Sequence, residues 1–266
     1  LQLRAKNYDE HRITELAAGL LPACRAAGVP LIVNDHPRAA AECGADAVKF
    51  QAFKTEFMYS RNTPGFSHTD TDVFSQIQQL EVKDQWWPKL KERAQEKKLM
   101  FSASVFDAPS IKILETTGID FLKIASAEIV NHAFLLEQKV LSDAYVISTG
   151  MALMQEIAEA VRFLKENGVT KIMLLECTSS YPAPPESIRL LNIDFLRDTF
   201  GVPAGFSDHT LGIHYPIAAV ARGSRFIEKH FTLDKNMPGP DQKISADPAE
   251  LKQLVTVIRQ LEQSMN

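Results

Sequence analysis

The sequence predicts an α/β protein built as a closed (β/α)8 barrel, and three observations carry that expectation. Short apolar, β-branched runs alternate with stretches of helical period along the whole chain, as repeated strand–helix–strand units require. Runs such as Ile172-Met-Leu-Leu are apolar at every position, which suits a strand buried on both faces of a parallel sheet. Connections are short and no glycine-rich dinucleotide turn follows a strand, so a closed ring is preferred to an open doubly wound sheet. At 266 residues the chain fits one such barrel, which typically takes about 250 residues. We expect a single domain, with residues 1–43 an atypical N-terminal strand–helix–strand segment and residues 44–266 the barrel proper.

The strand candidates in order are Leu1–Arg4, Pro30–Asn34, Ala47–Gln51, Leu99–Ala103, Phe121–Ala125, Tyr145–Thr149, Lys171–Cys177, Val202–Ser207 and Arg225–Phe231. That is one more than the ring holds, so either Leu1–Arg4 or Pro30–Asn34 must lie outside it, or the barrel is not standard. Between those two, Asp9–Gly28 reads as a helix with Ile13, Leu16, Leu20 and Cys24 on one stripe. Pro22 inside it costs about 3 kcal/mol or kinks it. His36–Gly44 is short for a crossover helix. Lys54–Gln79 is polar and holds Pro64, Gly65 and His68. It reads as a long loop at the catalytic end, either a lid or a solvated excursion. Gln155–Asn167 places Ile157, Ala160, Val161 and Leu164 on one face, and Leu251, Leu254, Val257, Ile258 and Leu261 mark a closing amphipathic helix.

Charge and cysteine usage narrow the function. With 29 basic and 33 acidic residues, net −4, there is no electrostatic footprint for nucleic acid. No apolar run approaches the ~18–20 residues a bilayer span needs, and Leu1-Gln-Leu-Arg carries no signal-peptide pattern. Cys24, Cys43 and Cys177 show no CxxC spacing, which argues against a disulfide framework or zinc ribbon and for a reducing cytoplasm.

In such a barrel, polar residues at the C-terminal ends of strands face the active site. These ends carry Lys49 and Gln51; Ser102 and Ser104; Lys123, Ser126 and Glu128; Ser148 and Thr149; Thr178, Ser179, Ser180 and Tyr181; Ser207, Asp208 and His209; and Glu228, Lys229 and His230. Lys49 and Lys123 point to an anion such as a phosphate or carboxylate. The alternative is internal pairing with Glu128 and Glu228, because an unpaired buried ammonium is costly. His209 and His230 end successive strands, about 4.8 Å apart in a sheet, so both imidazoles can reach one divalent ion. Structural, hydrogen-bonded histidines are the competing reading. His11, His36, His68 and His214 take that bland reading and His132 is open. Two proline-braced loops, Cys177-Thr-Ser-Ser-Tyr-Pro-Ala-Pro-Pro-Glu and Phe231 to Asp241, suit either rigid ligand contacts or plain structural turns.

Six motifs then occur in order: Gly44-Ala-Asp-Ala-Val-Lys-Phe-Gln, Phe121-Leu-Lys-Ile-Ala-Ser-Ala-Glu, Ile147-Ser-Thr-Gly-Met, the Cys177 loop, Gly205-Phe-Ser-Asp-His-Thr-Leu-Gly and Glu228-Lys-His-Phe-Thr-Leu-Asp-Lys with Gly239-Pro-Asp. Together they resemble the N-acetylneuraminate (sialic acid) synthase family from about Gly44 to the end. The resemblance implies a TIM barrel that condenses phosphoenolpyruvate with an N-acetylated amino sugar, of the N-acetylmannosamine type. The product is a nine-carbon 2-keto sugar acid, and phosphate is released. It further implies His209 and His230 as ligands of a divalent metal, Mn²⁺ first with Mg²⁺ or Co²⁺ as alternatives. Lys49, Lys123, Ser126 and Ser207 match the phosphoenolpyruvate clamp, Gln51, Ser179, Tyr181 and Asp241 the sugar contacts, and Glu128 an active-site carboxylate. A homodimer is compatible with the resemblance.

Departures from the family are equally plain. Its first-strand Glu has no match here, Glu176 and Gln242 stand where His is common, and we expect no C-terminal antifreeze-like domain. Instead Leu1-Gln-Leu-Arg-Ala-Lys and Leu31-Ile-Val-Asn-Asp resemble thiamine-phosphate synthase over roughly the first 46 residues, with Gln2, Arg4, Lys6, Asn34 and Asp35 matching a pyrophosphate and Mg²⁺ site. The alternatives are therefore an impaired or non-catalytic chimeric barrel that still binds phosphoenolpyruvate and metal, and, less favoured, a thiamine-phosphate synthase.

Overall fold

The computed structural model describes residues 31–34, 37–61, 63, 72–237 and 239–265. Strands β2 (Ala47–Ala52), β3 (Met100–Val105), β4 (Phe121–Ile124), β5 (Ala144–Ser148), β6 (Lys171–Cys177), β7 (Ala204–Asp208) and β8 (Ile227–Lys229) form one curled parallel sheet in sequence order. Strand β1 (Leu31–Asn34) pairs with both free edges, Ile32 opposite Ala47 on one side and Glu228 on the other, and closes the ring. Of the two N-terminal strand candidates, the one at Leu31–Asn34 takes the ring position. Leu1–Arg4, the Asp9–Gly28 helix and the matched Gln2, Arg4, Lys6 and Asp35 lie outside the described residues, as do His11, Cys24, His36 and His68.

The helices follow the strands as expected: α1 (Pro37–Glu42), α2 (Thr55–Met58), α3 (Val73–Gln78), α4 (Trp87–Glu96), α5 (Ala108–Thr117), α6 (His132–Glu137), α7 (Met154–Glu166), α8 (Leu191–Phe200), α9 (His214–Ala221) and α10 (Pro248–Ser264). The polar stretch after β2 is not loop throughout, since it contains α2 and α3. Asp72 starts α3 by accepting from the Ser75 amide, and the Glu81 carboxylate accepts the Thr55 amide at 2.7 Å. Polarity there reflects side chains that cap and anchor short helices, which composition cannot separate from loop.

Two apolar layers hold the barrel. Inside it, Ala47, Phe121, Val146, Leu175 and Phe226 fill the end away from the strand C-termini, with Phe121 and Phe226 edge to face at 5.9 Å. Gly205 is required here, because a Cβ would lie 2.6 Å from Leu175 Cδ2 and 2.7 Å from Phe226 Cβ. Between sheet and helices, Phe50, Trp87 and Phe101 pack with ring separations of 5.5–6.4 Å. The closing helix α10 is started by an Asp247–Glu250 capping box and tied back to the ring by Arg259, whose guanidinium bonds Asp46 at 2.6 and 2.7 Å. Bulk therefore occupies one end of the barrel and leaves the other to polar side chains.

Candidate active site

Alternation along a strand decides which side chains enter the barrel. On β8 Glu228 points in, on β7 its register partner Ser207 does, and the Ser207 hydroxyl donates to Glu228 Oε2 at 2.7 Å. Lys49 from β2 forms an ion pair with Glu228 Oε1 at 2.7 Å, and Lys123 from β4 stands 3.6 Å from Oε2. Lys123 also donates to Ser148 Oγ at 2.7 Å and to the Ile124 carbonyl at 2.8 Å. Both lysines thus pair with Glu228, one of the two carboxylates the sequence offered. Glu128, on a 3-10 turn after β4, is held instead by Asn131, and partial burial raises its carboxyl.

The charges in this pocket do not balance. Two ammonium groups share one carboxylate, and all three side chains are at most 8% exposed. Burial pulls Lys123 below the usual lysine value, with Glu228 opposing and the Lys49 charge adding to the effect. Burial also works against the charge on Glu228, but Lys123 and Lys49 outweigh it and hold the carboxyl well below its ordinary range. With both ammonium groups charged, the pocket is short of one negative charge.

Directly above it, His209 and His230 follow β7 and β8 with their rings 5.2 Å apart. His209 Nδ1 lies 2.7 Å from the Thr178 carbonyl, which can only accept, so Nδ1 carries hydrogen and Nε2 faces away from that bond; burial works against charge on the ring, but Cys177, the Thr178 carbonyl and Glu228 outweigh it and raise the imidazole above its usual value. Metal-binding imidazoles are oriented in this way. Asp241 Oδ2 lies 3.8 Å from His230 Nδ1, too far for a hydrogen bond. Burial, reinforced by His209, holds His230 well below the usual imidazole value and so keeps it neutral, the form that ligates. The donor set fits a divalent ion held by two imidazoles with other positions open. Among the described residues no group of three or more His, Cys, Asp or Glu converges on one point.

The Cys177 loop closes one side. Ala183 N–H donates to the His209 carbonyl at 2.9 Å, and the half-exposed Tyr181 ring lies 4.2 Å from His209 and 5.9 Å from His230; the Tyr181–Pro182 peptide is cis. Ser126 Oγ accepts from Gly150 N–H at 3.1 Å and lies 3.7 Å from Cys177 Sγ. Gly150 must lack a Cβ, which would sit 2.6 Å from the Cys177 carbonyl and 2.9 Å from Ser179 Oγ. Gln51 lies at the end of β2, opposite Ser104.

Two residues carry more than the sequence suggested. Cys177 lies at the centre of the site, its Sγ 3.9 Å from His209 Nδ1; the inward alternation of Leu175 and Cys177 was the available signal. Glu176 faces outward and accepts from Asn192 Nδ2 at 3.0 Å, and burial raises its carboxyl to about 7. The two undecided or bland histidines pack on rings, His132 stacked on Phe163 at 5.0 Å and His214 against Tyr215 at 4.4 Å.

The NeuB family model matches residues 38–266, and a second model, thiamine monophosphate synthase, matches residues 1–56, most of which lie outside the described part. The chain is 41% identical over 234 residues to N,N'-diacetyllegionaminic acid synthase of Campylobacter jejuni, covering 85% of this chain and 70% of that one. It is 32% identical to human N-acetylneuraminate-9-phosphate synthase, covering 86% of this chain and 65% of that one. The crystal structure of N-acetylneuraminic acid (sialic acid) synthetase from Leptospira borgpetersenii, in complex with citrate, superimposes with a TM-score of 0.82 at 33% identity over 90% of this chain and 86% of that one. Relatives at about 40% identity are longer, and the chain spans 61–70% of their length. No described helix is long and apolar enough to cross a membrane. Motifs, fold and these matches agree over the same residues, and the chain belongs to the NeuB family, whose sialic acid synthases its motifs resemble.

Proposed function

We propose that this barrel condenses phosphoenolpyruvate with an N-acetylated amino sugar of the N-acetylmannosamine type, giving a nine-carbon 2-keto sugar acid and inorganic phosphate. The observation that carries this is the pairing of two buried ammonium groups with one carboxylate directly beneath two imidazoles. In this reading Lys49 and Lys123 take the phosphate and carboxylate of phosphoenolpyruvate, which supply the missing negative charge, and the Ser126 and Ser207 hydroxyls add hydrogen bonds. Gln51, Ser179, Tyr181 and Asp241, at the strand ends and in the two rigid loops, contact the sugar. Glu128, its carboxyl raised by burial, is placed to carry a proton near the β4 end.

His209 and His230 would hold the divalent ion, Mn²⁺ first with Mg²⁺ or Co²⁺ as alternatives, which when bound supplies Lewis-acid polarisation of the sugar aldehyde. The methylene carbon of the enol attacks that aldehyde and forms the new C–C bond. Water then adds to the former enol carbon, and the C–O bond to phosphate breaks as the ketone forms. The residues of the site hold both substrates in register and keep the pocket dry at its lower end, where the apolar layer begins. The buried cysteines Cys43 and Cys177 suit a reducing, cytoplasmic setting.

Phosphate release from phosphoenolpyruvate tests the reading. It is expected only with both N-acetylmannosamine and Mn²⁺ present, and it is lost in His209→Ala. Equal release by that variant, or release without sugar, contradicts the proposal. No release, with a melting midpoint still raised by phosphoenolpyruvate, marks a binding barrel without turnover.

A further inference from the structure

Beneath the two imidazoles, on the opposite side of the sheet from the anion pocket, lies a second pair of buried charges. Register on β7 and β8 places Ser207 opposite Glu228 and Asp208 opposite Lys229. Ser207 and Glu228 meet inside the barrel, so the next rung points outward. There Lys229 Nζ donates to Asp208 Oδ2 at 2.5 Å, with the side chains 1% and 0% exposed. The residues that follow each strand, His209 and His230, turn inward again. Asp208 and Lys229 form the last paired rung, so the backbone ladder ends one residue before the imidazoles.

The same two side chains reach past that end. Asp208 Oδ1 accepts from Thr210 N at 2.9 Å and from Thr210 Oγ1 at 2.7 Å, and Lys229 Nζ donates to the Thr210 carbonyl at 2.9 Å. His209 is therefore pinned through the residues on either side of it, and His230 through the residue before it. Strands in a sheet run about 4.8 Å apart, and the imidazole rings keep nearly that spacing at 5.2 Å although the β7–β8 ladder has ended; the carbonyls of His209 and His230 are held separately, by Ala183 N–H at 2.9 Å and Ala246 N–H at 2.8 Å. Charge here is balanced one to one, so the pair needs no ligand to neutralise it.

We propose that the Asp208–Lys229 pair with Thr210 is a positioning device that sets the separation and direction of His209 and His230, and so the affinity of the site for its divalent ion. This rests on the reading of those histidines as metal ligands. Buried ion pairs of this kind fix one geometry at no necessary gain in stability, and loss of groups that orient metal-binding histidines lowers metal affinity about 10- to 100-fold.

The test compares the full chain with Asp208→Ala and with the double variant Asp208→Asn/Lys229→Met, which leaves no buried charge unpaired. Mn²⁺ dissociation constants come from electron paramagnetic resonance, phosphoenolpyruvate binding without metal from calorimetry, and ring positions from crystal structures. Both variants are expected to bind Mn²⁺ about tenfold or more weakly while phosphoenolpyruvate affinity stays within about twofold, with the rings displaced from their 5.2 Å spacing. Should Asp208→Ala fail to fold, the double variant decides. Unchanged Mn²⁺ affinity and superimposable rings overturn the proposal. If the unaltered chain binds no Mn²⁺, the metal reading itself fails, and the ring positions in the double variant still decide whether the pair positions them.

Discussion

The inner and outer faces of the barrel wall both bury lysine–carboxylate pairs and use them differently. Inside, Lys49 and Lys123 share Glu228, two positive charges against one negative. Outside, Lys229 meets Asp208 one to one, and Thr210 satisfies the remaining oxygen and a further ammonium proton. A pair of balanced charge is structural, because its charge is already met within the barrel wall. Unbalanced charge held in a pocket is paid for only when an anion arrives, which marks the inner face as the ligand side.

That contrast can be broken by removing one partner on each side. Asp208→Ala leaves Lys229 buried and alone, and we expect a loss of about 3–5 kcal/mol in urea unfolding. Phosphoenolpyruvate will not restore the lost contact, because the ammonium faces away from the pocket. If phosphoenolpyruvate stabilises the variant more than the unaltered chain by about the amount lost, the inside–outside distinction is wrong.

A neutral-range titration sharpens it next. Glu176, outward on β6, has its carboxyl raised by burial to about 7, against an ordinary value near 4.5. A raised carboxyl favours folding while protonated, so its contribution is fully present below about pH 4.5 and is lost as pH rises through about 7. The span corresponds to about 3 kcal/mol at most. Glu176→Gln, which keeps an acceptor for Asn192, should flatten the stability profile over that window. A profile with unchanged slope would remove Glu176 from the account.

Smaller still is the expected effect of Lys123→Met on the unliganded protein. It discards a charge that burial already disfavours and leaves Lys49 balanced by Glu228, so unfolding free energy should shift by only about 1 kcal/mol. The same variant should lose most of the rise in melting midpoint that phosphoenolpyruvate gives. Least of all, Arg162→Ala removes an exposed helical pair with Glu166 and should cost under about 0.5 kcal/mol. A larger loss there would show that exposed and buried pairs are not being distinguished correctly.

Much of this arrangement was legible in the sequence. Lys171–Cys177 forms β6 over those residues, because the unbroken apolar run Ile172 to Leu175, with Cys177 continuing the inward alternation, leaves little choice of boundary. The last strand shrinks from Arg225–Phe231 to Ile227–Lys229, because Ser224 and the Phe231–Ala246 bridge fix the flanks through contacts that local pattern does not encode. Strand-end polarity found Lys49, Lys123, His209 and His230. It could not say that both lysines meet Glu228 rather than Glu128, since that depends on which strands face one another across the ring. Asp208 and Lys229 stood among the strand-end residues, but only the register of β7 on β8 shows that they meet outside. Glu176 invited comparison with a histidine position, yet alternation along β6 turns it toward α8.

Calorimetric titration of phosphoenolpyruvate into the full chain, set against Lys49→Met/Lys123→Met, tests the central claim most directly. Saturable binding at one site per chain, abolished in the double variant, is the result expected. Absence of binding to the unaltered chain, or equal binding to both, would contradict it.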